Sequence, residues 1–457
     1  MRWLMVAAIA SAWAMPARAQ DSAADGSLQA TFARWAREGR LPGVVVGRIA
    51  PGTTSVITAG VRSVETGAPV TDSTVFEIGS ITKALTGTLL ADMVVRGEVG
   101  LNDPVTRHLP TGWTMPAGIT RGITLLDLAT HTSGLPRMPA DFAPGNPLDP
   151  YGDYDDAKLR RSLAATTLVT QPGEAYDYSN FGAAVLGRAL AHRGGKPYEE
   201  LLHERVLLPL GMRDSRFAGN GAADHRSATG YTARILPTGA WNLVAFAPAG
   251  GLRSSIGDML KLLAAVADTS KGPLAKALAL ATRAHRPIHG VDSVGLGWHR
   301  LRQGTTEVVW HNGGTGGFRT FAGVNVHTGR GVVMMVNASV DWVDNIALQL
   351  DSGKFADPPT GRIAEIPLPD TTTDRYLGRY EFSPTFAIDV TRDSAGLWIQ
   401  ATAQPRLRIL AIAPGVFAVR DVVAELTFEL GPGGPANAMT LRQSGQTLNG
   451  RRVPAAR

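Results

Sequence analysis

Apolar positions recur along this chain at two different periods, and the places where the period changes divide it. Leu28, Phe32 and Trp35 mark one side of a helix over Ser27–Glu38. Two short apolar runs, Val44–Ile49 and Ser55–Ala59, flank Pro51-Gly52 and predict a strand pair. From Gly79 to about Arg96 the residues Ile81, Leu85, Leu89, Met93 and Val94 return at helical spacing, with Leu90 beside them, so one face of this helix is expected to be buried. Ile123–Thr130 is short and apolar. Pro139–Tyr154, rich in Pro, Gly and Asp, reads as a long loop that can rim a cleft. Helical patterns return at Lys158–Ala165, Asn180–His192, Tyr198–Leu207, Asp258–Val266 and Leu274–Arg283.

From Val294 the period is that of strands. Val294–Leu301, Glu307–Asn312, Thr320–Val326 and Val332–Asn337 read as consecutive antiparallel strands, followed by a helix over Trp342–Leu350. If the first strands and these last ones close one sheet with the helices between, the body is α/β and two-lobed. Residues 357–370 are Pro-rich and read as a linker. Beyond it come only short strands, Tyr376–Phe382, Ala387–Thr391, Leu397–Ala401, Leu407–Ala413, Val416–Arg420, Ala424–Leu430 and Met439–Gln443, which predict a small all-β meander or barrel. The expected division is therefore a leader over 1–19, a catalytic body over 20–356, the linker, and the β domain over 371–457.

Composition changes this picture in a few places. At 457 residues and 44% hydrophobic the chain can bury a large core. Its net charge of +6 rests on scattered arginines with no basic block interleaved with aromatics, which argues against a nucleic-acid partner. There is no cysteine, so disulfides, thiolate metal sites, a cysteine nucleophile and a lipoprotein anchor are excluded. Arg2, the apolar run Trp3–Ala14 and the small-x-small triplet Ala17-Arg18-Ala19 form a leader pattern too short to span a bilayer. It predicts cleavage after Ala19 and a periplasmic or secreted protein with no stable membrane anchor.

The candidate chemistry begins with Ser80 and Lys83. They stand three residues apart, on one face of the predicted helix, with Ser80 at its N-terminal mouth. Free N–H groups and the positive end of the helix dipole favour developing negative charge there. A serine hydroxyl beside an amine is the arrangement of an activated nucleophile. Of the seven lysines only Lys83 has a serine three residues before it. The alternative is a capping serine followed by a solvated lysine. A second candidate element is Tyr178-Ser179-Asn180, just ahead of a helix. Its phenol can act as a base if a neighbouring ammonium lowers its pKa from the usual value of about 10. The alternative there is a buried tyrosine and a helix cap. The third is His311-Asn312-Gly313-Gly314, on and after a strand, where glycine often marks the close approach of a ligand or another backbone; the alternatives are a flexible glycine turn and an ordinary structural histidine.

The order and spacing of these elements resemble the serine β-lactamase and penicillin-recognising enzyme superfamily, nearest to class C β-lactamases and related DD-peptidases, D-aminopeptidases and esterases. The stretches that carry the resemblance are Phe76–Lys83, Arg96–Pro104, Ile123–Leu135, the Tyr178 triplet and Pro209–Met212, spread over roughly Leu28 to Leu350. The resemblance implies an antiparallel sheet flanked by helices in a β-lactamase/transpeptidase-like two-lobed fold, with the C-terminal β domain resembling a lipocalin-like appendage. It also implies roles. Ser80 becomes acylated, Lys83 and Tyr178 relay its proton, and Asn180 positions Lys83 and a substrate amide. His311 and Gly313 belong to the third substrate-binding motif, and the N–H groups of Ser80 and Gly314 form an oxyanion hole. The partner is then a small-molecule or peptide acyl donor, and no cofactor or metal is implied.

One departure shapes the expected substrate. Class C β-lactamases have Lys-Thr-Gly where this chain has His311-Asn312-Gly313. Lysine is a permanent cation, whereas histidine is mostly neutral at pH 7. The change weighs against efficient use of carboxylated β-lactams and leaves esters and D-amino-acid peptides open. The histidine and the added β domain also admit a penicillin-binding receptor or sensor with negligible turnover, and an acyl transferase is a further alternative. Arg319 and Asn337 are candidates to face a substrate carboxylate, and His131 reads as structural. His285 and His289 are separated by Pro287 and carry no metal-binding pattern. No Gly-x-Ser-x-Gly elbow is present.

Overall fold

The computed structural model describes residues 19–453 apart from 219–223, 362, 364, 403, 421, 423, 432 and 444–445. The leader read at 1–19 lies outside the described residues except for Ala19, where the first helix, Ala19–Arg37, begins.

Two compact units divide the chain. One takes the residues up to Arg37 with Pro42–Gly230 and Pro237–Asp357; the other takes Pro358 onward together with Glu38–Leu41 and Tyr231–Leu236. The first unit is built on an eight-stranded sheet. Its strands run in the order Thr53–Gly60, Gly43–Ala50, Gly331–Val336, Arg319–Asn325, Thr306–Gly314, His299–Gln303, Ser293–Val294 and Arg286–Pro287. The N-terminal hairpin joins the C-terminal strands through antiparallel pairs such as Val44 with Val336 and Val46 with Met334. The predicted strand Val294–Leu301 is split in two. Gly295–Trp298 turns away from the sheet edge, with Leu296 N bonded to Ala281 O and Gly297 N to Ala129 O.

The central helix is Thr82–Val95, preceded by a single 3₁₀ turn at Gly79–Ile81. One buried face was expected, but every residue from Thr82 to Met93 is buried. A helix surrounded on all sides must satisfy its polar side chains internally. Thr86 Oγ1 lies 2.6 Å from Tyr198 Oη and donates to Pro248 O, Thr88 Oγ1 donates to Ala84 O, and Asp92 pairs with Arg96 and Arg205. Gly87 has no room for a side chain, because a Cβ there would stand 1.8 Å from Leu296 O. The helix is thus wedged by backbone on one flank and by hydrogen bonds on the other.

The second unit is a closed barrel of eight antiparallel strands paired in chain order. The eighth, Gln446–Val453, was not expected. Its sequence QTLNGRRV is too polar to read as a strand, yet it pairs with Ala436–Gln443 on one side and with the first barrel strand, Gly378–Ser383, on the other. Closure leaves no strand edge unpaired. Tyr376, Tyr380, Phe417, Leu426, Phe428 and Met439 pack together in its core.

Candidate active site

Ser80 sits where the 3₁₀ turn meets the central helix, an end that no side chain caps. The turn itself uses the next two N–H groups, Ile81 N donating to Ile78 O at 3.3 Å and Thr82 N to Gly79 O. Gly79 makes the turn possible: its φ is +51°, and a Cβ there would lie 2.7 Å from Gly314 N. Gly313 is equally constrained, since a Cβ would stand 1.9 Å from Ile78 O. The glycines thus let the third-motif strand run backbone to backbone against the serine turn, the close approach that glycine in a strand signalled. Thr320 Oγ1, from the neighbouring strand, donates to Ile78 O at 3.0 Å and fastens the same contact. Gly314, at the strand end, is exposed beside Ser80.

Lys83 Nζ lies 3.0 Å from Ser80 Oγ and 2.6 Å from the carbonyl of Ala249. Only 2% of Lys83 is exposed. Burial, reinforced by the charge of Arg137, holds its amine well below the ordinary lysine range. A neutral amine can donate to Ala249 O and still offer a lone pair toward Ser80. The Ala249 carbonyl carries no sequence signal, since any residue has one. Asn180 was expected to hold Lys83, but its amide is placed elsewhere. Nδ2 meets Met138 Sδ at 3.6 Å, and Oδ1 is buried without a partner.

Tyr178 comes to the same point from the far side. Ser179 caps the helix Asn180–Gly194, its Oγ accepting from Gly182 N at 2.8 Å and donating to Pro136 O at 2.7 Å. That cap fixes the direction of the residue before it. Burial pushes the Tyr178 phenol up to about 12, against the pull of a hydrogen bond with Ser80. The condition for a resting phenolate is therefore not met, and Tyr178 is a neutral phenol. Lys83 Nζ lies 4.8 Å from the centre of its ring.

Three histidines pack around this phenol. His131 lies 4.4 Å from the Tyr178 ring, His299 is stacked at 6.3 Å and His311 stands at 6.2 Å. His131 has φ +58°, a left-handed backbone rare outside glycine. It is held by Asp177 N on its carbonyl and by Ser179 N on its Nδ1, so it ties down the Tyr178 loop. His299, which the sequence did not single out, meets Tyr176 Oη at 2.9 Å through Nε2. Burial lowers all three imidazoles, His299 to about 4.

His311 is 0% exposed. Its Nδ1 lies 2.6 Å from Asn312 O, and a carbonyl only accepts, so Nδ1 carries the proton and Nε2 is a buried lone pair with no partner. It lies beneath the site surface as a neutral group, not as a cation facing solvent. The other two expected carboxylate contacts are also spent. Arg319 is paired with Asp344, which also binds Asn312, and Asn337 is fully buried, donating to Val61 O, Arg62 O and Thr229 O.

A family model described as Beta-lactamase matches residues 24–351, and one described as Domain of unknown function (DUF3471) matches residues 363–452. The D-alanyl-D-alanine-carboxypeptidase/endopeptidase AmpH of Escherichia coli (strain K12) is 29% identical over 308 residues, covering 63% of this chain and 78% of that protein. A β-lactamase of the same organism is 28% identical over 305 residues, covering 65% and 75%. Esterase EstB of Burkholderia gladioli is 32% identical over 306 residues, covering 59% and 77%. A solved class C β-lactamase has the same fold, with a TM-score of 0.65 and 22% identity, covering 75% of this chain and 99% of that one.

Proposed function

The chain belongs to the β-lactamase family of serine hydrolases, and from that premise we propose that it is exported and cleaves an amide or ester through an acyl-enzyme on Ser80. The observation that carries the reading is the contact of 3.0 Å between the Ser80 hydroxyl and a buried amine that burial holds well below the ordinary lysine range. Neutral Lys83 takes the hydroxyl proton as Oγ attacks the acyl carbon. The carbonyl oxygen becomes an oxyanion against the N–H groups of Ser80 and Gly314, on the surface that Gly79 and Gly313 bring together. The Tyr178 phenol, hydrogen-bonded to Ser80, is placed to hand a proton to the leaving oxygen or nitrogen and to recover one from Lys83. Water then attacks the acyl-enzyme by the reverse route and frees the acid. Asn180 Oδ1 is an unmatched buried acceptor beside this path, suited to an amide N–H of the acyl donor.

The leader pattern at 1–19 supports export. Among the described residues no helix is long and apolar enough to cross a membrane.

A panel of a penicillin, a D-alanyl peptide and a p-nitrophenyl ester tests the proposal by turnover. At least one is cleaved by the wild type, and Ser80→Ala abolishes that cleavage. Full hydrolysis by Ser80→Ala of every donor the wild type cleaves would remove Ser80 from the mechanism.

A further inference from the structure

The three residues that the sequence offered for a substrate carboxylate are all committed elsewhere. His311 is neutral and buried, Arg319 is held by Asp344, and Asn337 is committed to three backbone carbonyls. A different cation stands at the site. Arg137 follows His131-Thr132-Ser133-Gly134-Leu135-Pro136, and its guanidinium carbon lies 5.2 Å from the centre of the Tyr178 ring. The residue is exposed, and its guanidinium has no hydrogen bond or acidic partner among the described residues.

Its backbone is fixed even though its head group is not engaged. The Arg137 carbonyl accepts from Asn180 N at 3.0 Å and from Phe181 N at 3.3 Å, in the first turn of the helix that Ser179 caps. The arginine therefore moves with the Tyr178–Asn180 flank of the site, beside the ring whose phenol is hydrogen-bonded to Ser80. Its charge reaches the reacting groups, lowering the Lys83, His131 and Tyr178 pKa values. An arginine held over an aromatic face keeps its five donors in a planar fork that matches a carboxylate.

We propose that Arg137 selects acyl donors that carry a carboxylate near the scissile bond, replacing from the Tyr178 flank the cation that the third motif lacks. This rests on the Ser80 acyl-enzyme reading and names the substrate class for it. Anionic peptides and open-chain or cyclic acyl donors with a free carboxylate belong to that class, and neutral alkyl esters do not.

The test uses two p-nitrophenyl esters of equal acyl length, the monoester of glutaric acid and the ester of pentanoic acid, with the full-length protein. The wild type prefers the glutarate ester in kcat/KM. Arg137→Gln lowers the glutarate-to-pentanoate ratio about tenfold, the scale of a lost hydrogen bond to a charged group. The change lies mainly in KM, and Arg137→Lys restores part of it. A general disturbance of the site would lower both esters together and leave the ratio unchanged. A wild type without preference, or a ratio unaltered in Arg137→Gln while Ser80 is still acylated, overturns the assignment of Arg137 alone. Failure of both esters to acylate wild-type Ser80 by intact mass overturns the underlying reading and this one with it.

Discussion

Replacing Lys83 by methionine keeps most of its buried stem and removes the amine that touches both Ser80 and Ala249. Single-turnover acylation is expected to slow by about 10²–10⁴, the usual contribution of a positioned base. Tyr178→Phe keeps the ring between His131 and His299 and removes only the phenol. A loss of the same order is expected, with the thermal midpoint little changed, which separates chemistry from packing. The pH profile follows from the direction of the Lys83 shift. An ordinary lysine is mostly protonated below pH 10 and would be a base only in strong alkali. Burial lowers Lys83, so acylation should reach its plateau well below pH 10 and fall as the pH drops and the amine is protonated. A rate that climbs steadily up to pH 10 would show that Lys83 is a cation at rest.

Among elements, the junction between the serine turn and the third-motif strand is the most tightly specified. Gly313→Ala forces a methyl to within 1.9 Å of Ile78 O. Backbone on both sides cannot yield cheaply, so a destabilisation of at least 1–3 kcal/mol is expected by chemical denaturation. Acylation should be lost even where the variant folds, because Gly314 must move away from Ser80. The sequence announced this junction: Ser80, Lys83 and the glycine pair were legible from residue type and spacing. It could not announce the Ala249 carbonyl, a backbone group, nor the departure of Asn180 from Lys83, which depends on where Met138 and the Pro139–Tyr154 loop settle. The apolar spacing of Ile81, Leu85, Leu89, Met93 and Val94 predicts one buried face, and the threonines, Lys83 and Asp92 lie between those positions. In the fold their partners come from distant segments, so polarity marked internal hydrogen bonding and not a solvent face. The last barrel strand escaped for the opposite reason. Its residues suit an exposed strand, and only pairing with both neighbours identifies it.

At the scale of the molecule, the three buried imidazoles link folding to pH. Each has a pKa lowered in the native state, so between the native and ordinary values the unfolded chain binds more protons. Stability is then full above about pH 6.5 and declines as the pH falls. His299, near 4, contributes up to about 3 kcal/mol of that decline across the interval. Urea midpoints measured from pH 7.5 to pH 4.5 should fall with acid, and His299→Gln should flatten the slope. The division of labour is also visible at this scale. Every residue assigned to acyl transfer lies in the first unit, while the barrel has its own aromatic core. Leu426→Ala in that core is expected to cost about 2–5 kcal/mol of barrel stability.

The account stands on one bond between Ser80 Oγ and an acyl carbon. Mixing the protein with an activated ester, quenching in acid and locating the added mass by peptide mapping reads that bond directly. The acyl group should appear on the peptide containing Ser80 and be absent from Ser80→Ala. Acylation of another residue, or an equal adduct in Ser80→Ala, would contradict the account.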